Sequence, residues 1–212
     1  MKRRSPIHFA VLVVTATVAG CVSPDRVTLE STTSDARLEA RFPTVTFAPM
    51  GRAGLDFVLT DLTLDELDPS TDVETLTGRI VRISVVVRPL PGATPIDPTA
   101  ANATVQYLIL SRGAIGLYSG GAFVNPGEPL GTDNLHVRIK RGAMRLTARN
   151  DRFIDPLGPT ELAADFTAVP DEALTARAAA KLEQILARLY RAEPARDAAP
   201  PPEPEPAPGP AP

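Results

Sequence analysis

Hydrophobic and polar residues alternate through the middle of the chain with the period of two that is typical of β-strands. Within 104–110 the β-branched, tyrosine and leucine residues form a nearly continuous run, as expected of a strand that is covered on both faces. Residues Arg112 and Gly113 then predict a turn. The predicted strands are 55–60, 77–88, 104–110, 114–118 and 161–168.

The segment 134–149 has the clearest alternation, and it predicts a hairpin that turns at Arg141 and Gly142. With this turn, Ile139 lies opposite Met144. The two apolar rows then share one face, which is the condition that the register of a hairpin must satisfy.

The polar face of this hairpin is a candidate binding surface because it is basic. Its members are Arg138, Lys140, Arg145 and Arg149. The hairpin places Arg138 opposite Arg145, and like charges opposed in this way are unfavourable unless an acid lies alongside. Glu161 and Asp165 lie on the polar face of the following predicted strand and could supply that acid.

Beyond residue 169 the apolar residues recur at spacings of three and four, which predicts an amphipathic helix over 170–193. Pro170 suits a first helical position, and two acids follow it at the positive end of the helix dipole. This helix either packs over the sheet or uses its apolar stripe to bind a partner. The predicted fold is mainly β (α+β), an antiparallel β-sandwich or open barrel of seven or eight strands with one C-terminal helix.

Both ends of the chain have compositions typical of segments without a packed core. Residues 21–37 are polar and aperiodic, and we interpret them as a tether. Residues 194–212 hold nine prolines and favour an extended polyproline conformation, as a passive tail or as a ligand for an aromatic groove. The span 38–193 is long enough for one domain with its own core.

The first twenty residues have the parts of an export signal: a basic start, an apolar run too short for a transmembrane helix, and small residues. The four residues Val18-Ala19-Gly20-Cys21 resemble the lipobox of bacterial lipoproteins. This resemblance covers only about the first two dozen residues. It implies that signal peptidase II cuts before Cys21, and that the thiol carries a diacylglyceryl group with acyl chains such as palmitate.

The same resemblance implies a location in the cell envelope. Two acyl chains give stable membrane anchoring where a single chain is marginal. Val22 occupies the position where an aspartate resembles an inner-membrane retention signal in Gram-negative lipoproteins. In a Gram-negative source, the resemblance therefore implies the outer membrane, at its periplasmic face or at the cell surface.

Removal of the signal changes the charge and the chemistry of the chain. Residues 1–20 hold three basic residues and no acid, so the net charge falls from −3 to −6. A mildly acidic chain has no general attraction to nucleic acid. Cys21 is the only cysteine, so its lipidation leaves no thiol for a disulfide or a metal site.

The sequence points to no catalytic residue, metal or cofactor. His136 is the only histidine after the signal, and we interpret it as a surface residue of a strand. Neither a nucleophile elbow nor a glycine-rich phosphate loop occurs. The acids of residues 56–74 predict a solvated loop, with a calcium site as the alternative.

Three classes of function remain for such a chain. The first is a non-catalytic binding or structural module that contacts an envelope protein or the cell wall, through the basic strand face or through the long loops 88–102 and 119–133. The second is a carrier of an apolar ligand held between sheet and helix. The third is a hydrolase. We expect the first, with no small-molecule substrate identified.

Overall fold

Ten β-strands and one long helix form the computed structural model, which describes residues 25–51, 54–86, 101–126 and 134–192. The strands are β1 (Arg26–Ser31), β2 (Arg37–Arg41), β3 (Thr44–Met50), β4 (Gly54–Thr60), β5 (Thr77–Val85), β6 (Ala103–Ser111), β7 (Ala114–Ala122), β8 (Asn125–Pro126), β9 (Leu135–Arg149) and β10 (Thr160–Pro170). The helix α1 spans Glu172–Ala192, and a short 3-10 helix spans Val73–Thr75. The predicted mainly β fold with one C-terminal helix is confirmed.

The strands form one sheet that closes on itself. Its order is β2-β1-β10-β3-β4-β5-β6-β7-β9-β8, and a further pairing joins β10 to β9. Seven strands, from β3 to β7 with β9 and β10, therefore make a closed ring. All pairings are antiparallel except the short contact of β10 with β3, where Val169 lies opposite Thr46 and Pro170 opposite Phe47.

Apolar side chains fill the inside of the ring and form the inner cluster, to which β1 to β7, β9 and β10 all contribute. Phe57 lies near its centre, with ring centroids 5.8 Å from Phe47 and 5.9 Å from Phe166. One polar atom is the exception: the buried hydroxyl of Tyr107 makes no hydrogen bond within the described residues. Burial raises the pKa of Tyr107 to about 12, against the effect of the nearby Arg79 charge.

A second apolar layer, the outer cluster, lies between α1 and the outside of the ring. Leu182 and Ile185 of α1 are fully buried there, against Val58, Ile80 and Leu108 of the sheet. Because α1 covers this side, β4 is buried along its whole length, including the polar residues Asp56 and Thr60.

The sheet begins earlier than the sequence analysis expects. The predicted tether 21–37 includes all of β1, whose Val27 and Leu29 are fully buried in the inner cluster. The predicted tether therefore extends too far along the chain, because the sheet starts at Arg26 and the domain was expected to start at residue 38. β1 lies between β2 and β10 and buries one face, so it needs only one apolar row, which two residues supply.

The predicted hairpin is wrong: β9 runs without a turn from Leu135 to Arg149. The register against β10 shifts between Ile139 and Gly142, where two residues of β9, Lys140 and Arg141, oppose the single residue Ala163 of β10. Such a bulge restores the inward direction of the apolar row after an extra residue. The shared apolar face that suggested a hairpin is thus equally well produced by one bulged strand.

Strand β7 is longer than the predicted 114–118, because Gly120 and Gly121 continue it to Ala122. A Cβ atom placed on Gly120 would lie 1.8 Å from the carbonyl oxygen of Ala143 on β9. The glycine therefore permits the close approach of two strands rather than marking a turn. The turn at Arg112 and Gly113 is confirmed, and both residues have positive φ.

Several predicted features lie outside the described residues. They are the signal and lipobox within residues 1–24, most of the loop 88–102, residues 127–133 of the second loop, and the proline-rich tail 194–212.

Candidate binding surface

The candidate surface lies on the outer side of three neighbouring strands, β1, β10 and β9. The apolar residues of these strands point into the inner cluster, so the residues between them point outward. In the described structure, no helix residue lines the hollow on this side. We call six residues on this side the basic face: Arg26, Thr28, Arg138, Lys140, Ala163 and Asp165.

One row of charged residues crosses the basic face from strand to strand. Arg26 lies opposite Arg41 of β2 on one side and opposite Asp165 of β10 on the other, and Asp165 lies opposite Arg138 of β9. Nη2 of Arg138 is 2.9 Å from Oδ2 of Asp165. Asp165 is the acid that the basic strand needs alongside, yet one carboxylate faces arginines from three strands. The row therefore keeps an excess of positive charge.

A shallow hollow of about 260 Å³ opens beside this row. Its lining combines the small residues Ala163 and Ala164 with the cations Arg26, Arg138 and Lys140. Pockets that hold a whole small molecule usually exceed about 300 Å³. The hollow is therefore suited to one anionic group of a larger ligand.

The cations around the hollow are only partly neutralised by the protein itself. Lys140 makes no ion pair or hydrogen bond with any described residue. Arg26 reaches Glu39 at 3.5 Å, a long contact between exposed side chains. Asp165 engages Nε and Nη2 of Arg138, and Nη1 of Arg138 has no partner in the part of the chain that the structure describes. Charged donors thus remain available for an anionic ligand.

His136 lies next to the basic face, and its charged neighbour among the described residues is Asp165. Its Nε2 is 3.5 Å from Oδ1 of Asp165, an oxygen that is buried and accepts no hydrogen bond from the described residues. A protonated imidazole would complete an ion pair there. No hydroxyl group of a described residue is hydrogen-bonded to His136, so the arrangement offers no activated nucleophile.

The structure separates the four basic residues that the sequence analysis groups together. Arg138 and Lys140 belong to the basic face, whereas Arg145 lies opposite Ser119, where β7 is the neighbour of β9. Arg149 donates from Nη1 to the carbonyl oxygen of Phe153 at 2.9 Å. At about 3.3 Å per residue, Arg149 is roughly 35 Å along the strand from Arg138. Of the four predicted residues, only Arg138 and Lys140 therefore line the hollow.

Sequence reasoning missed the contribution of β1 to this surface. Arg26 and Thr28 flank the buried Val27 and Leu29 and have the same period-two pattern as the longer strands. That alternation was the sequence signal that could have predicted β1. It spans only two apolar residues and was therefore too short to distinguish a strand from a polar tether.

The acidic segment, which we define as residues 61–74, folds on itself through hydrogen bonds. Glu66 accepts from the backbone N–H of Thr63 at 2.8 Å, and Thr63 accepts from the N–H of Glu66 at 3.3 Å, a reciprocal capping arrangement. Asp68 accepts from the hydroxyl and the N–H of Ser70, and these bonds lower the pKa of Asp68. The carboxylates of Glu66 and Asp68 therefore accept hydrogen bonds from turns of the segment itself, whereas that of Asp61 contacts Arg79 of β5 at 3.0 Å.

The acidic segment also holds α1 in place. Lys181 is 1% exposed, and its Nζ donates to the carbonyl oxygens of Asp68 and Thr71 at 2.8 and 2.9 Å. Burial lowers the pKa of Lys181, although the charges of Asp68 and Asp72 oppose this shift. Arg188 contacts Asp72 at 3.5 Å and Glu74 at 3.3 Å. These contacts join one side of the helix to the segment.

A wider cleft of about 660 Å³ lies between the acidic segment and the last turns of α1. Its lining includes Asp72, Arg188 and Arg191. The acid and Arg188 are already paired with each other, so the cleft offers less uncompensated charge than the basic face does. Within the described ranges, no group of three or more acidic, histidine or cysteine side chains could hold a metal ion.

A partly buried polar pair joins β7 to the loop before β10. The hydroxyl of Tyr118 donates to Asp155, which also accepts from the N–H groups of Leu157 and Gly158. Burial raises the pKa of Tyr118, and the bond to Asp155 adds to the shift. Phe153 of the same loop packs edge-on against Tyr118 with ring centroids 6.4 Å apart. These groups are structural.

None of the helices in the described part of the chain has the length and apolar character needed to span a membrane. Comparison of the chain with known protein families, with characterised proteins and with solved structures finds no match.

Proposed function

We propose that the protein is an exported, lipid-anchored module of the cell envelope that binds a partner and catalyses no reaction. The basic start, the short apolar run and the lipobox-like Val18-Ala19-Gly20-Cys21 support the anchoring. The hollow between Arg26, Arg138 and Lys140 is the observation that supports binding, because its cations have few partners inside the protein. The ligand is an acidic group.

The two other classes of function receive less support from the packing. The contact between sheet and helix is filled by the buried side chains of the outer cluster, such as Leu182 and Leu108, rather than by a ligand-sized space. His136 has a carboxylate beside it, but none of the described hydroxyl groups bonds to it. We therefore prefer a binding module to a carrier or a hydrolase.

Lipidation is tested by metabolic labelling with radioactive palmitate. The wild-type chain is expected to incorporate label and to fractionate with membranes, whereas Cys21→Ser incorporates none. Label in the Cys21→Ser variant, or an unlabelled wild type in membranes, would contradict the proposed anchor.

Binding through the basic face is tested by crosslinking in cells. Lys140→Glu is expected to remove the main crosslinked species. Arg145→Glu is the matched control, since Arg145 is exposed, lies on the same strand and has no partner among the described side chains. Both variants change the net charge equally. Equal loss of crosslinks in the two variants would exclude a specific role of the basic face.

A further inference from the structure

We infer that the basic face lies against the membrane that holds the lipid anchor, and that its hollow receives the phosphate of an anionic phospholipid headgroup. This inference rests on the proposed lipidation of Cys21. It identifies the acidic partner as the lipid surface itself, and it gives the basic face the task of orienting the anchored domain.

The first support is the short distance along the chain from the anchor to the basic face. Five residue steps join Cys21 to Arg26, the first residue of β1. An extended chain covers at most about 3.6 Å per residue, so Arg26 stays within roughly 18 Å of the anchored cysteine. Arg138 is two strands away from Arg26, about 10 Å at the usual strand spacing. The membrane is therefore within reach of the whole basic face.

The second support is the position of the acidic segment, which lies across the ring from the basic face. The acidic segment joins β4 to β5. In the closed ring, β5 is separated from β10 by β3 and β4 in one direction and by β6, β7 and β9 in the other, so β5 and β10 lie on opposite sides. The chain after residue 20 has a net charge of −6, yet an anionic surface would meet Arg26, Arg138 and Lys140 first when the hollow points toward it, with Glu30 and Glu161 farther along the same strands.

The third support is the chemistry of the hollow. Its size suits a single phosphate rather than a whole lipid, and Lys140, Arg26 and Nη1 of Arg138 supply charged donors around it. Each cation close to an anionic leaflet contributes about 1 kcal/mol to binding. The attraction of a few cations to anionic lipid is weak for a free protein. The lipid anchor keeps the domain at high local concentration near the membrane. A few cations are therefore enough to select one orientation.

The test uses the lipidated protein, from Cys21 to its C-terminus, reconstituted in vesicles. Because the lipidated Cys21 has no free thiol, one introduced cysteine can carry a fluorophore: Thr167→Cys beside His136, or Ala180→Cys on the exposed side of α1. Quenching by spin-labelled headgroups is compared between vesicles of phosphatidylcholine alone and vesicles with about one third phosphatidylglycerol.

Quenching at position 167 is expected to rise with phosphatidylglycerol, while quenching at position 180 stays low. Lys140→Glu should reverse the rise at position 167, with on the order of a fivefold loss for each unit of favourable charge removed. Arg145→Glu should leave it unchanged. Equal quenching at both positions, or quenching that ignores phosphatidylglycerol, would overturn the inference.

The same experiment separates this inference from the proposed function. A mass increase for the diacylglyceryl group and insertion into vesicles report lipidation before any quenching is measured. A lipidated protein without preferred orientation would refute only the membrane contact. A protein without the lipid would refute the anchor on which both proposals depend.

Discussion

The acidic segment and the basic face both carry charged side chains, but they differ in how many of these charges have partners among the described residues. In the acidic segment, Glu66 and Asp68 accept hydrogen bonds from their own turns. Asp72 and Glu74 contact Arg188 of α1, and Lys181 is almost completely buried beside the segment. On the basic face, Lys140 has no partner among the described residues and Arg26 has only a long contact. Removing one partner of a buried charge pair destabilises a fold, whereas uncompensated exposed charges remain available for binding.

The largest loss of stability is expected where a buried charge of the sheet, outside both regions, loses its partner. Asp56 is 8% exposed, lies 2.9 Å from Nη2 of Arg82 and accepts a hydrogen bond from Ser84. Asp56→Ala is expected to lower the free energy of unfolding by about 3 kcal/mol, because it leaves Nε and Nη2 of the partly buried Arg82 without their acceptor. Urea denaturation measures this change.

Glu183→Ala is the matched control for this prediction. Glu183 contacts the same Arg82 at 2.8 Å, but its side chain is 66% exposed. Its removal should cost less than about 1 kcal/mol. Equal effects of the two substitutions would show that burial does not determine how these charges contribute.

Lys181→Met is expected to lower the free energy of unfolding by about 2 kcal/mol. The methionine keeps much of the side-chain volume but leaves the carbonyl groups of Asp68 and Thr71 without their donor. Arg177→Met, which removes an exposed ion pair of 3.4 Å with Asp68, should change stability little. A Lys181→Met variant as stable as the wild type would contradict the described role of the acidic segment.

The acidic segment should also give stability a dependence on acid pH. Hydrogen bonds from Ser70 hold the pKa of Asp68 below its ordinary value of 3.8. The resulting stabilisation is present above 3.8 and is lost as the pH falls through the lower pKa of the folded state. Urea midpoints measured across this range should fall less steeply for Asp68→Asn than for the wild type. Identical slopes would argue against the hydrogen-bonded carboxylate.

The smallest effect on stability is expected on the basic face. Lys140→Glu should change the free energy of unfolding by less than about 0.5 kcal/mol, because the side chain is exposed and has no partner within the described ranges. Thermal unfolding of purified protein tests this directly. A large loss of stability would mean that Lys140 belongs to the fold rather than to a binding surface.

Much of the fold follows from periodicity alone. The regular alternation predicts β4, β5, β6 and β10 closely, and the change to helical spacing predicts α1. The hairpin in place of β9 shows the limit of this reasoning, since a turn and a bulge at Lys140 and Arg141 satisfy the same pattern of apolar faces. Only pairing with other strands distinguishes them, and that information is not local.

The candidate site was predictable only in part, for a similar reason. Arg138 and Lys140 stand out because they lie on the polar side of a strongly alternating segment. Arg26 joins them through strand pairing across more than a hundred residues of sequence, and Asp165 is bound by Arg138 through the same sheet. The closure of the ring assembles the basic face, so no single segment contains it.

The two lysines that follow Cys21 provide the most direct test, because each reports one of the two regions. Lys140 lies on the basic face, and Lys181 is buried against the acidic segment. Amine labelling followed by mass spectrometry is expected to modify Lys140 rapidly in detergent-solubilised protein, to modify it slowly in intact envelopes, and to leave Lys181 unmodified in both. Equal reactivity of Lys140 in detergent and in envelopes would contradict a bound basic face.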